Sequence, residues 1–153
     1  MNKLTLYFRP PEGFIDELRD ISDKFTINIC TNRDELESCL PDTEILVTLV
    51  TFPDAELIGS ASSLRWIQAL TAGVDFFPLN KIREQDILLT CGRGIHKIYI
   101  AEYAIAAMIN LARNFHLLFR NQLKGKWDRS IAQGEINGKT VGILGLGSIG
   151  KEI

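Results

Sequence analysis

The sequence lacks a surplus of basic residues, an apolar run long enough to cross a bilayer, and enough cysteine to build a disulfide framework. Lysine and arginine total 17 against 19 aspartates and glutamates, a formal charge of −2. A nucleic-acid-binding protein would carry a basic surplus on one face, so no nucleic-acid partner is expected. The three cysteines, Cys30, Cys39 and Cys91, have no metal-ligand spacing, and their odd number argues against paired disulfides. Cys30 and Cys91, each closing an apolar run, read as small buried thiols in a reducing cytosol, and no metal site is expected. The longest apolar stretch, residues 98–112, contains Glu102 and Asn110 and is too short to span a membrane. At the amino end an apolar segment stops at Arg9-Pro10-Pro11, too early for a signal-peptide core. These absences predict a soluble, cytoplasmic protein. What remains is ordinary globular composition, 46% apolar and 24% charged over 153 residues. That length allows one domain, or one small domain and part of another.

Residues 1–92 alternate two hydrophobic periods. Residues 3–8 read as a strand ended by two prolines, which cannot continue a ladder. Phe14, Leu18, Ile21 and Phe25 recur at helical spacing and predict an amphipathic helix. Residues 26–30 form a second predicted strand, and residues 34–40 a short helix stopped before Pro41. The apolar run 44–50 suits a strand covered on both faces, and Pro53 opens a helix reaching Ser60. Residues 64–70 and 87–91 complete the strands, with a short helix over 76–82 between them. Five strands separated by four helical segments predict an α/β, doubly wound parallel sheet of order 2-1-3-4-5. Ligands in such sheets bind outside the carboxyl ends of the strands, which directs attention to loops 9–13, 48–53 and 71–75.

Gly92-Arg93-Gly94 breaks this rhythm and marks a predicted boundary between units 1–92 and 93–153. Beyond it a long helix is expected over 98–119. Its first four turns are apolar nearly all round, so it should be covered from several sides, between domains or between subunits. The last segment holds Gly145-Leu146-Gly147-Ser148-Ile149-Gly150, a G-x-G-x-x-G pattern directly after the apolar run 141–144. Following a strand, the first glycine makes a tight turn, the second admits a pyrophosphate and the third permits close packing. The phosphate then meets free N–H groups and the positive end of the next helix. A bare glycine pattern is weak evidence, and the preceding strand strengthens it. The dinucleotide unit also needs about 30 residues and an acid some 20 positions beyond the glycines. Three residues follow Gly150, so the sequence is expected to be a fragment, or else to pair its terminal strand with another subunit.

Four ordered motifs carry a family resemblance: Leu70-Thr71-Ala72-Gly73-Val74-Asp75, Arg93-Gly94-Ile95-His96, Ala101-Glu102-Tyr103, and residues 138–150 with their glycines. Together they resemble the D-isomer-specific 2-hydroxyacid dehydrogenases. The resemblance implies a flavodoxin-like substrate domain, followed by a long helix and the first strand of a Rossmann domain. It implies NAD or NADP as cofactor, a small 2-hydroxy or 2-keto acid as substrate, and a homodimer. The N–H groups of Thr71, Ala72, Gly73 and Val74 would hold the substrate carboxylate. Gly145, Leu146, Gly147, Ser148, Ile149 and Gly150 would hold the cofactor pyrophosphate. In this family the catalytic arginine, glutamate and acid/base histidine follow the glycine motif, and none of them lies in these 153 residues. His96 and His116 are not their counterparts: His96 suits a structural or cofactor-edge role, and His116 packing or surface.

Other residues leave alternatives open. Arg93 could bind substrate carboxylate or cofactor phosphate as a bidentate donor, or be an exposed hinge arginine. Thr48 stands where phosphoglycerate members of the family often carry arginine, which speaks against a phosphorylated substrate. Trp66 reads as core, Asp75 as tying its loop through side-chain to backbone bonds, and Trp127 as packing in the linker. The expected function is therefore part of an NAD(P)-dependent oxidoreductase, with a chain of 1–153 inactive by itself. The alternative is a truncated, non-catalytic dimerisation or regulatory module of the same family.

Overall fold

The computed structural model describes residues 2–18, 24–49 and 52–153. The chain divides into two compact units, Met1–Arg93 and Gly94–Ile153. The first contains strands β1 (Asn2–Tyr7), β2 (Phe25–Cys30), β3 (Ile45–Thr48), β4 (Trp66–Ala69) and β5 (Leu88–Cys91). Its helices are α1 (Phe14–Glu17), α2 (Arg33–Cys39), α3 (Ala55–Ser60) and α4 (Leu79–Glu84), with a short 3-10 turn at Leu40–Asp42. All four strand pairs are parallel and the order is β2-β1-β3-β4-β5. This is the α/β sheet that the strand and helix periods predict.

Alternation along β1 divides the core between the two faces of the sheet. Leu4 and Leu6, with Phe8 just beyond the strand, pack with Phe14, Leu18, Phe25 and Ile27. On the opposite side Tyr7 joins Cys30, Leu36, Leu46, Ile58, Ile67 and Ile82. Leu36, Leu46, Ile58 and Ile67 are completely buried, so truncating one to alanine costs about 2–5 kcal/mol. The buried hydroxyls of Thr5 and Thr43 satisfy each other at 2.7 Å. Burial pushes the Cys30 thiol up to about 12, reinforced by a hydrogen bond with Cys39.

Several boundaries differ from the sequence expectation, each for a local reason. Phe25 belongs to β2 opposite Asn2 and not to a helix, although it packs with Phe14 and Leu18 as their periodic spacing suggested. Ile21 lies outside the described residues. Pro53 precedes α3, whose cap is Asp54: its carboxylate accepts from the Leu57 N–H at 3.0 Å. The fourth helix starts at Leu79 because residues 74–77 close a turn, Phe77 N–H to Val74 C=O at 3.0 Å.

In the second unit the expected long helix is two helices, α5 (Lys97–Ala112) and α6 (Phe115–Leu123). Asn114 separates them in the left-handed region, φ 54°, a conformation asparagine tolerates. Its side-chain amide donates to Ala132 C=O at 2.9 Å, while Gly134 N–H caps Ala112 C=O at 2.8 Å. A Cβ on Gly134 would itself stand 2.8 Å from that carbonyl. Residues 141–144 form no strand: no other described strand pairs with them, and Leu144 is fully exposed. An extended apolar segment needs a ladder partner to satisfy its backbone, and here it has none among the described residues.

Candidate functional site

The carboxyl edge of the sheet carries the first group of expected site residues. Leaving β4, Leu70 N–H donates to Thr48 C=O at 2.8 Å, and Gly92 N–H donates to Thr71 C=O at 2.9 Å. These bonds fix the start of the following loop between the end of β3 and the residue after β5. Thr71 Oγ1 donates to Gly73 C=O at 2.9 Å, so the side-chain tie in the loop comes from Thr71. Among the described residues Asp75 makes no such bond, contrary to the sequence expectation. The N–H groups of Ala72, Gly73 and Val74 donate to nothing among the described residues, and Ala72 and Gly73 are exposed. Three successive unbonded N–H groups form a concentrated anion-binding element, suited to a carboxylate. Arg93 is exposed just beyond β5.

The neighbouring loop is braced from a residue that the sequence reading passed over. Arg33, at the start of α2, donates to Glu37 at 2.6 Å, Asp54 at 2.5 Å and Glu56 at 3.3 Å. Asp54 is held below its ordinary value by the Leu57 N–H first and the Arg33 guanidinium second. Asn32 caps α2 by accepting from Glu35 N–H at 2.9 Å, and Glu35 reaches back to Thr31 N–H at 2.6 Å. The arrangement is a variant of the capping box, with the glutamate accepting from the residue before the cap. Trp66 is half-buried, its indole N–H donating to Thr90 Oγ1 at 2.7 Å.

The second group lies wholly in the carboxy-terminal unit. Gly145 takes φ +101°, open to glycine alone without strain. The chain then enters a helical turn, with Lys151 N–H to Gly147 C=O at 3.1 Å and Ile153 N–H to Ile149 C=O at 3.1 Å. The N–H groups of Leu146, Gly147, Ser148, Ile149 and Gly150 have no acceptor among the described residues. Gly150 is buried, and a Cβ there would collide with the Gly145 carbonyl and meet Ile143 at 3.0 Å. Gly147 differs: its φ is not positive, and a Cβ would find open space. The protein itself therefore gives Gly147 no reason to be glycine. A phosphate approaching the free N–H groups does, so this turn fits a dinucleotide pyrophosphate.

At the start of this unit the His96 Nδ1 and Tyr99 hydroxyl share a hydrogen bond of 2.6 Å. His116 lies on α6, and Trp127 is exposed and not packed as expected. No group of three or more His, Cys, Asp or Glu able to hold a metal occurs among the described residues. Nor is any described helix long and apolar enough to cross a membrane.

Residues 105–153 match the family model described as the D-isomer specific 2-hydroxyacid dehydrogenase, NAD binding domain. A D-3-phosphoglycerate dehydrogenase of Archaeoglobus fulgidus is 35% identical over 144 residues, covering 93% of this chain and 27% of that protein. A hydroxypyruvate reductase of Thermotoga maritima is 30% identical over 123 residues, 79% of this chain and 40% of that one. The solved glyoxylate reductase from Paecilomyes thermophila superposes with a TM-score of 0.84 at 23% identity, over 99% of this chain and 50% of that one. The chain thus spans half or less of the length of these matched proteins.

Proposed function

We propose that the chain belongs to the D-isomer-specific 2-hydroxyacid dehydrogenase family, whose NAD-binding model its residues 105–153 match, and that it supplies the substrate cradle and the pyrophosphate turn of an NAD(P)-dependent oxidoreductase interconverting a 2-hydroxy acid and its 2-keto acid. One observation supports this reading: each unit has its own run of backbone N–H groups without acceptors among the described residues, at Ala72–Val74 and at Leu146–Gly150. The first run binds the substrate carboxylate and orients its C2 carbon. Arg93 adds a bidentate cation for the same carboxylate or for a cofactor phosphate. The second run binds the pyrophosphate, with Gly145 making the turn, Gly147 leaving room and Gly150 holding the turn closed. When bound, the nicotinamide supplies the hydride acceptor or donor.

Transfer at C2 also moves a hydroxyl proton, and the family resemblance assigns that task to a histidine outside these 153 residues. We infer that a polypeptide limited to residues 1–153 binds nucleotide without turnover. Lack of a general acid/base costs about 10²–10⁴-fold from that effect alone. Fluorescence titration of NADH and NADPH should detect binding, while absorbance at the nicotinamide band should stay constant with any 2-keto acid. Protein-dependent oxidation would overturn the assignment of the proton-transfer group; absence of binding to either nucleotide would overturn the reading of the glycine turn. The exposed apolar residues of α5, Tyr99, Tyr103 and Leu111 among them, support a homodimer formed through this helix.

A further inference from the structure

We propose that Phe52 and Phe76 form an aromatic shelf beside the carboxylate cradle, selecting 2-keto acids with an apolar, preferably aromatic, side chain. The inference rests on the function proposed above and names its substrate class. Phe52 comes from the loop after β3 and Phe76 from the loop after β4, adjacent strands in the sheet. Their rings stack at 5.7 Å with planes 16° apart, and Phe52 sits edge-on to the buried Phe77 at 4.9 Å. Phe77 is thus the anchor and Phe52 the partly buried layer upon it. Phe76 is the outer layer, 77% exposed.

Position connects the shelf to the cradle. Phe76 lies two residues after Val74, inside the turn closed by Phe77 N–H and Val74 C=O at 3.0 Å. Exposing a phenyl ring to water is unfavourable, and a second ring held flat against it from another loop fixes a large apolar plane there.

Charge argues in the same direction. From Glu44 to Leu64, and again from Trp66 to Asn80, the sequence has no lysine or arginine. A phosphorylated substrate would need a cation in these loops to replace lost hydration of the phosphate. The nearby guanidinium, Arg33, is already engaged by three carboxylates. With Arg93 given to the carboxylate or the cofactor, Arg9, exposed in the loop after β1, is the cation left for a substrate phosphate. The shelf therefore separates this chain from the phosphoglycerate dehydrogenase it resembles.

Saturation-transfer NMR on the 153-residue chain, with and without NADH, tests the idea with phenylpyruvate, pyruvate and 3-phosphohydroxypyruvate as probes. Phenylpyruvate should bind about tenfold more tightly than pyruvate, with strongest transfer to its ring protons. In Phe76→Ala, whose exposed site leaves the core intact, that preference should disappear while pyruvate binding persists. Phe52→Leu, which keeps apolar packing on Phe77, should weaken the preference with an unchanged circular dichroism spectrum. Equal affinity for phenylpyruvate and pyruvate overturns the shelf and leaves the cradle standing. Tightest binding of 3-phosphohydroxypyruvate, lost in Arg9→Gln, overturns it in favour of a phosphate-reading site. Failure of all three probes to bind overturns the carboxylate cradle, and the shelf with it.

Discussion

Three glycines within six positions do three different jobs, and substitution should tell them apart. At Gly147 a side chain meets no protein atom, so Gly147→Val should fold normally yet occupy the approach to the free N–H groups. We expect its melting temperature to match the parent while NADH affinity falls by about tenfold or more, since backbone contact with the pyrophosphate is lost. Gly150→Ala forces a Cβ into the Gly145 carbonyl, which cannot yield without reshaping the turn. It should lose NADH binding together with amide-exchange protection over residues 145–153. Equal behaviour of the two variants in both measurements would mean that the turn holds no phosphate and that the glycines serve packing alone.

At the scale of elements, the loops of the carboxyl edge depend on the clamp between α2 and α3. Asp54 both caps α3 and accepts from Arg33, and these donors favour its charged form. Its folded pKa is depressed below an ordinary 3.8, so the stabilisation is complete above that value and disappears as pH falls through the folded one. The urea midpoint of Asp54→Ala should lie below that of the parent at neutral pH, and the gap should close progressively below about pH 4. A gap independent of pH would assign the effect to packing and not to the carboxylate. This clamp was not legible in the sequence, because Arg33, Asp54 and Glu56 meet only once β2 and β3 have paired on either side of β1. The same limit hid the Phe52–Phe76 stack, a contact between loops 24 residues apart in number. Strand order was legible, since alternating periods and right-handed crossovers leave few arrangements. The helix break at Asn114 was not: hydrophobic period continues through it, and the cause is a hydrogen bond from the Asn114 amide to a distant loop carbonyl. Segment 141–144 has strand composition, but composition cannot provide the neighbour that a ladder requires.

At the scale of the molecule, the apolar surface of the second unit decides behaviour in solution. Tyr103 is 75% exposed, Leu111 69% and Leu123 89%, spread along α5 and α6. Isolated apolar residues on a surface need no explanation, but several on two consecutive helices form an area that water covers at a cost. At about 25 cal/mol per Å² of apolar area removed from water, pairing such helices across two copies offsets the entropy of association only if the buried patch is large and continuous. α5, apolar on most of its circumference along sixteen residues, is the element we propose to supply such a patch. Sedimentation velocity should therefore show a monomer–dimer equilibrium that shifts with concentration. Tyr103→Glu and Leu111→Glu, at exposed positions, should move it to monomer without changing the far-ultraviolet spectrum. A strictly monomeric boundary at high concentration would remove α5 as the homodimer interface, while leaving untouched the nucleotide turn, whose free N–H groups belong to one chain.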